Sequence, residues 1–135
     1  MNVKSIYVNL PIKDINKTRD FWTKLGFSFN PQFSNEKALC LILNEGSIYV
    51  MLLTNEFFST FTNRPLADGS STEVITAIEV ESQEKVAEMI KLAIDNGGSR
   101  YREVQDFEWM YNDAFADPDG HQWEIFHMDS SKMPQ

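Results

Sequence analysis

Cysteine is almost missing from this chain: Cys40 is the only one in 135 residues. A single thiol between apolar neighbours excludes a disulfide framework and reads as a reduced, buried core residue. No apolar run approaches the roughly 20 residues needed to span a bilayer. Nor does a basic-then-apolar leader pattern follow Met1. A cytoplasmic location is therefore expected. Positive charge is short as well, with 12 Lys and Arg against 20 Asp and Glu and a net charge of -8. That balance repels phosphate backbones, so neither nucleic acid nor an anionic membrane is an expected partner, whereas a neutral or cationic small molecule is compatible. No glycine loop opens a helix to cradle phosphate, because Gly97-Gly98 follows one. Ser70 and Ser71 lack a His and an acid in any recognisable nucleophilic arrangement.

What is present suits one compact domain with a real core: 42% of the residues are hydrophobic and 13% aromatic. Ile6, Val8 and Leu10 alternate with Tyr7 and Asn9 as in a strand, which Pro11 is expected to close. Asp14 is a good N-cap for a helix in which Ile15, Thr18, Phe21, Trp22 and Leu25 make the apolar stripe, and Gly26 stops it. A short strand at Phe27 to Phe29 follows. A strand through Leu39, Leu41 and Leu43 then turns at Asn44-Glu45-Gly46 into its partner, which carries Ile48, Val50 and Leu52. From Asn55 to Thr72 the pattern breaks, although Phe57, Phe58 and Phe61 fit one helical turn. The order of elements then restarts. A strand with Val74, Thr76, Ile78 and Val80 leads to a helix capped by Ser82, with Val86, Met89, Ile90, Ala93 and Ile94 at helical spacing. Asn96-Gly97-Gly98 ends that helix. A short strand near Arg100 to Val104, one at Trp109 to Phe115 and one through Trp123-Glu124-Ile125 complete the second half.

Each half is thus strand, helix, glycine stop and three strands, a repeat of elements more than of residues. Module one spans about 1–54, the connector 55–72 and module two about 73–129. Such halves are expected to lay antiparallel strands into one curved sheet, with both helices on the convex face and a ligand site in the concave one.

The repeat, the ending Phe115-Ala116-Asp117-Pro118-Asp119-Gly120 and the first-helix residues Leu10-Pro11-Ile12-Lys13-Asp14, Phe21-Trp22 and Leu25-Gly26-Phe27 resemble the vicinal oxygen chelate superfamily. That superfamily includes glyoxalase lyases, extradiol dioxygenases and bleomycin-resistance proteins. The resemblance implies an α+β fold of two βαβββ modules with cup-shaped mixed sheets, and a homodimer. It also locates the ligands of the metal-dependent members. The first-strand His corresponds to Tyr7, the glutamate ending the first half to Met51, the fifth-strand His to Ile75, and the final glutamate to Glu124. Only that last donor survives, and a divalent ion needs at least three converging ligands. His121 and His127 share the strand phase of Trp123 and Ile125, opposite Glu124 with Gln122 and Phe126, so they are not expected to replace the lost ligands.

The candidate ligand-contacting residues are Tyr7, Asn9, Met51, Ile75, Glu79 and Glu124 by inferred cup-facing parity, together with Trp109 and Tyr111. Those two aromatics either stack on a planar or cationic ligand or cover the open end of the sheet or a dimer seam. Glu124 is the one candidate for acid–base chemistry; its alternative is a carboxylate paired with a lysine or the backbone. Glu79, near a strand end, also reads as a solvated charge, and Tyr7 as a packing residue. Asp117 and Asp119 read as turn formers. His121 is expected to cap the turn and His127 to sit at a solvated edge. Two readings of function stand: a binding protein without metal or cofactor, holding a small molecule in the cup, or a lyase or dioxygenase using Glu124 with a divalent metal.

Overall fold

The computed structural model describes residues 1–134. The chain forms two compact units, Met1–Asp68 and Gly69–Gln135.

In the first unit, β1 (Ile6–Ile12) is followed by α1 (Ile15–Lys24), β2 (Ser28–Phe29), β3 (Ala38–Asn44) and β4 (Ile48–Thr54). A short helix, α2 (Asn55–Ser59), begins the connector. The sheet order is β1-β4-β3-β2, with β1 parallel to β4 and the other pairs antiparallel. Asp14 caps α1 as expected, its carboxylate accepting from the N–H groups of Asn16 and Lys17. Gly26 leaves the helix at φ 97°. Strand β1 runs on through Pro11 to Ile12 instead of closing there. At the end of a sheet order a residue with no N–H is tolerated. Leu10, Ile12, Leu39, Leu41, Val50 and Leu52 share one parity and are buried together with Phe21 and Trp22 of α1, while Ala38, Cys40 and Leu53 are buried on the other. Each such side chain contributes about 1.5–3 kcal/mol by leaving water. Cys40 is fully buried, and burial pushes its thiol above the ordinary value.

The second unit repeats the plan. Strand β5 (Ile75–Glu79), α3 (Gln83–Asp95), β6 (Gln105–Asp106), β7 (Met110–Ala116) and β8 (Gln122–Met128) give the order β5-β8-β7-β6, with β5 parallel to β8. The sheets are therefore two and mixed, as the family resemblance implies, although the repeat alone suggested antiparallel strands in one sheet. In each module the first strand pairs parallel with the last, because the helix returns the chain so that the second strand runs with the first, and two antiparallel reversals then restore that direction in the fourth. The short strand expected at Arg100 to Val104 lies later, at Gln105–Asp106, with only an isolated bridge from Ser99 to Ala116 before it. Ser82 caps α3. Val86, Ile90 and Ala93 of that helix are buried, as are Phe115, Trp123 and Ile125 of the sheet face it covers, whereas Ile94 is left exposed.

The helix stop is also a packing point. A Cβ on Gly98 would stand 2.8 Å from the Ala93 carbonyl oxygen and 2.9 Å from that of Ala116, both backbone atoms that cannot swing aside. Gly98→Ala is therefore expected to cost about 1–3 kcal/mol, as overpacking does. The check is the midpoint of urea unfolding, and an unchanged midpoint would contradict the close approach.

Candidate functional site

Hairpin register decides which side chains share a face in the second unit. Ile75, Ala77 and Glu79 lie level with Gln122, Glu124 and Phe126, and β7 adds Ala116, Ala114 and Asn112. This is the face turned away from α3. Its exposure rises toward β5, where Ile75 and Glu79 are exposed; Gln122, Glu124 and Phe126 are half-buried, and Ala114 and Asn112 buried. The opposite parity, Trp123, Ile125 and His127 with Phe115, Asp113 and Tyr111, faces the helix.

The position of Glu124 rests on the turn before it. One carboxylate oxygen of Asp117 accepts from the N–H groups of Asp119 and His121, and the other from the Trp123 indole at 3.1 Å. Gly120 completes the turn at φ 87°. Asp117 thus forms the turn, as expected, but is also buried. Burial holds its carboxyl above the usual range, against the pull of the nearby His121 and of the bonds it accepts. His121 is buried too, its Nδ1 2.6 Å from Glu73 Oε1, so it is more than a turn cap. His127 is half-buried, with Nδ1 3.0 Å from the Val80 carbonyl, not at a solvated edge.

Glu124 does not stand alone. Its Oε2 accepts from the Arg102 guanidinium at 3.1 Å and from the Asn112 side-chain amide at 3.3 Å. Arg102 also donates to Asn112 Oδ1 at 2.7 Å and to the Glu103 carbonyl at 2.9 Å. The side chains of Arg102 and Glu124 are 22% and 23% exposed, dry enough that the pair is less screened than a surface bridge. The partner is an arginine from an irregular segment, not the lysine or backbone considered from the sequence. Beside it, burial raises the Tyr101 phenol above its ordinary value; Arg102 opposes the rise and Glu124 adds to it. The Tyr101 hydroxyl is near Arg102, yet among the described residues neither it nor Gln122 Oε1 has a partner of proper hydrogen-bond geometry, although both atoms are buried.

Other predicted site residues fall elsewhere. Tyr111 is level with His127 and so faces α3, not Glu124. Trp109 stacks on Phe107 at 6.1 Å, and both line a hollow of about 270 Å³ with Ser82, Tyr111 and His127. A second hollow, of about 400 Å³, is bordered by Ile90, Tyr111 and the Arg100–Asp113 ion pair. Trp109 and Tyr111 are therefore separated from Glu124 by the sheet, a correction that follows from period-2 alternation along β7 and β8. In the first unit Tyr7, Asn9 and Met51 share the face turned away from the core strip, with Tyr7 stacked on Tyr49 at 4.7 Å. Tyr7 packs, but 48% of it remains exposed.

The donor set does not fit a divalent ion. Among the described residues no three His, Cys, Asp or Glu side chains gather as a ligand cluster, and Glu124 faces a guanidinium.

Residues 4–125 match the model of the Glyoxalase/Bleomycin resistance protein/Dioxygenase superfamily. The chain belongs to that superfamily. Among solved structures it is similar to hypothetical protein SA1046 from S. aureus, at 25% identity and TM-score 0.77 over 94% of this chain and 95% of that one. It is also similar to a glyoxalase/bleomycin resistance protein/dioxygenase family enzyme from Burkholderia phytofirmans PsJN, at 18% identity and TM-score 0.73 over 91% and 97% of the two chains. A bleomycin resistance determinant encoded on the transposon Tn5 shares 17% identity and TM-score 0.61 over 94% and 99%. No curated protein matches. No helix among the described residues is long and apolar enough to cross a membrane.

Asp117→Asn is expected to destabilise the fold by about 1–3 kcal/mol, since an amide NH2 must then face the Trp123 indole or a backbone N–H. The pH dependence has a definite sign. The folded-state carboxyl is held above its ordinary value of 3.8, so the folded state binds its proton first as pH falls. Stability contributed by Asp117 therefore rises as pH falls through the window from the raised value toward 3.8, and declines as pH climbs back. Urea unfolding of both proteins across that window measures it. A wild-type advantage that shrinks toward acid would contradict the assignment.

Proposed function

We propose that the chain is a small-molecule-binding protein that works without metal or cofactor, like the bleomycin-resistance branch of its family, and holds its ligand against the Glu124 face of the second module. The observation that supports this is the commitment of Glu124 Oε2 to Arg102 and Asn112. A carboxylate that already faces a fixed cation is a weak metal donor and a weak general base, because both roles need the negative charge that Arg102 neutralises. Glu124 is accordingly a ligand contact and an orienting group in this reading, with Gln122 and Phe126 beside it and Ile75 and Glu79 at the open margin. Tyr7, Asn9 and Met51 line the corresponding face of the first module. The ligand is not required to be a cation, since the acidic charge at the centre is balanced.

The test is metal analysis of protein purified without an affinity tag, for nickel, zinc, iron and manganese. The expected result is no stoichiometric metal, even after incubation with excess ion. Metal at one equivalent, lost in Glu124→Ala, would overturn this reading and leave the metal-dependent lyase or dioxygenase.

A cytoplasmic homodimer, with neither nucleic acid nor membrane as partner, completes the reading. The strands that end the two sheet orders, β1 and β5, leave Ile6, Tyr7 and Ile75 exposed, apolar surface suited to a second copy. Light scattering on the eluted protein is expected to give twice the chain mass of 15.6 kDa. A mass of one chain at micromolar concentration would rule the dimer out.

A further inference from the structure

The polar groups around Glu124 form an unfinished hydrogen-bond set, and what it lacks describes a ligand. Arg102 carries five N–H donors. Its Nη1 donates to Glu103 and its Nη2 to Asn112 and Glu124, which leaves Nε–H and the second Nη1 hydrogen to give. The buried Tyr101 hydroxyl lies beside the same guanidinium, and no acceptor meets its O–H in hydrogen-bond geometry. On the acceptor side both bonds to Glu124 land on Oε2, so Oε1 remains. Gln122 Oε1, one step along β8 on the same face, is buried and unpartnered. Leaving such an atom unmatched is unfavourable, a cost that a complementary guest would recover.

We infer that this site binds a neutral planar group carrying a carbonyl and an N–H together, a carboxamide or ureido group. The carbonyl accepts from Arg102 and Tyr101, while the N–H groups donate to Glu124 Oε1 and Gln122 Oε1. An isolated carboxylate would meet Arg102 but also the acceptors of Glu124 and Gln122. An isolated cation would meet Glu124 but also the already placed guanidinium. Because Arg102 and Glu124 cancel in charge at 3.1 Å, a neutral guest avoids both conflicts. The half-buried Phe126, level with Asn112, offers apolar surface beside the polar group. This inference rests on the binding reading above and specifies its ligand class.

The experiment uses three probes of one shape, benzamide, benzoate and benzamidine, titrated to millimolar concentration into isotopically labelled full-length protein. The resonances followed are the side-chain amides of Asn112 and Gln122 and the Nε–H of Arg102. Saturable shifts are expected with benzamide and not with the two charged probes. Tyr101→Phe is expected to weaken benzamide binding about fivefold, the worth of one hydrogen bond of about 1 kcal/mol. Gln122→Leu provides a second variant from the acceptor side, with a loss of similar size, so the test survives if one variant fails to fold. Benzamide binding that both variants leave unchanged overturns the assignment. Saturable shifts from benzoate or benzamidine alone overturn the amide class while the binding reading stands; no shift from any of the three overturns both.

Discussion

A buried carboxylate organises the second module. Asp117 gathers two backbone N–H groups and the Trp123 indole around its two oxygens, which locks the hairpin turn to the first core residue of β8. With the turn held, Ala116 must lie level with Gln122 and Ala114 with Glu124, and every later side chain in the strand is assigned its face. A slip of one residue would put Trp123 and Ile125 outside and Glu124 under α3, burying a charge without Arg102. The energetic cost of holding Asp117 away from water, visible in its raised proton affinity, is offset by the register it enforces.

That register gives the module two unlike faces. On the α3 side the buried Asp113 is satisfied by a two-pronged contact with Arg100 at 2.6 and 3.0 Å. The other side is polar at its centre and increasingly open toward β5. Arg100 and Arg102, two residues apart in an irregular segment, serve opposite faces of the same sheet. At the final glutamate this chain supplies a guanidinium, the side chain of Arg102. The scaffold is that of the superfamily, and what is particular to this chain is the pairing at its centre, in line with function residing in the site and not in the fold.

Much of this was readable beforehand, and for identifiable reasons. The helix caps Asp14 and Ser82, the glycine stop at Gly26 and the Asp-Pro-Asp-Gly turn are local signals, each decided within a few residues. The face of Glu124 followed from alternation alone. Tyr111 was misplaced although the same rule reaches it: once the turn pairs Ala116 with Gln122, counting back pairs Tyr111 with His127, which alternation had already put on the helix side. Arg102 and Tyr101 were beyond such reasoning. They sit in a segment without regular periodicity, and Arg102 meets its carboxylate 22 residues away. Asn112 carried a faint signal, a polar residue inside a strand, whose purpose shows only when its partner is known. The parallel pairing of β1 with β4 and of β5 with β8 likewise depends on long-range contact that no short pattern encodes.

The account turns on whether Glu124 is held by Arg102 in solution. A double-mutant cycle with Arg102→Met, Glu124→Leu and the pair, each followed by urea unfolding, measures that coupling directly. The prediction is an interaction of about 0.5–2 kcal/mol, the double variant losing less than the sum of the singles. Losses that add within about 0.3 kcal/mol would show that Glu124 is not committed to Arg102, and would return it to the role of a free carboxylate.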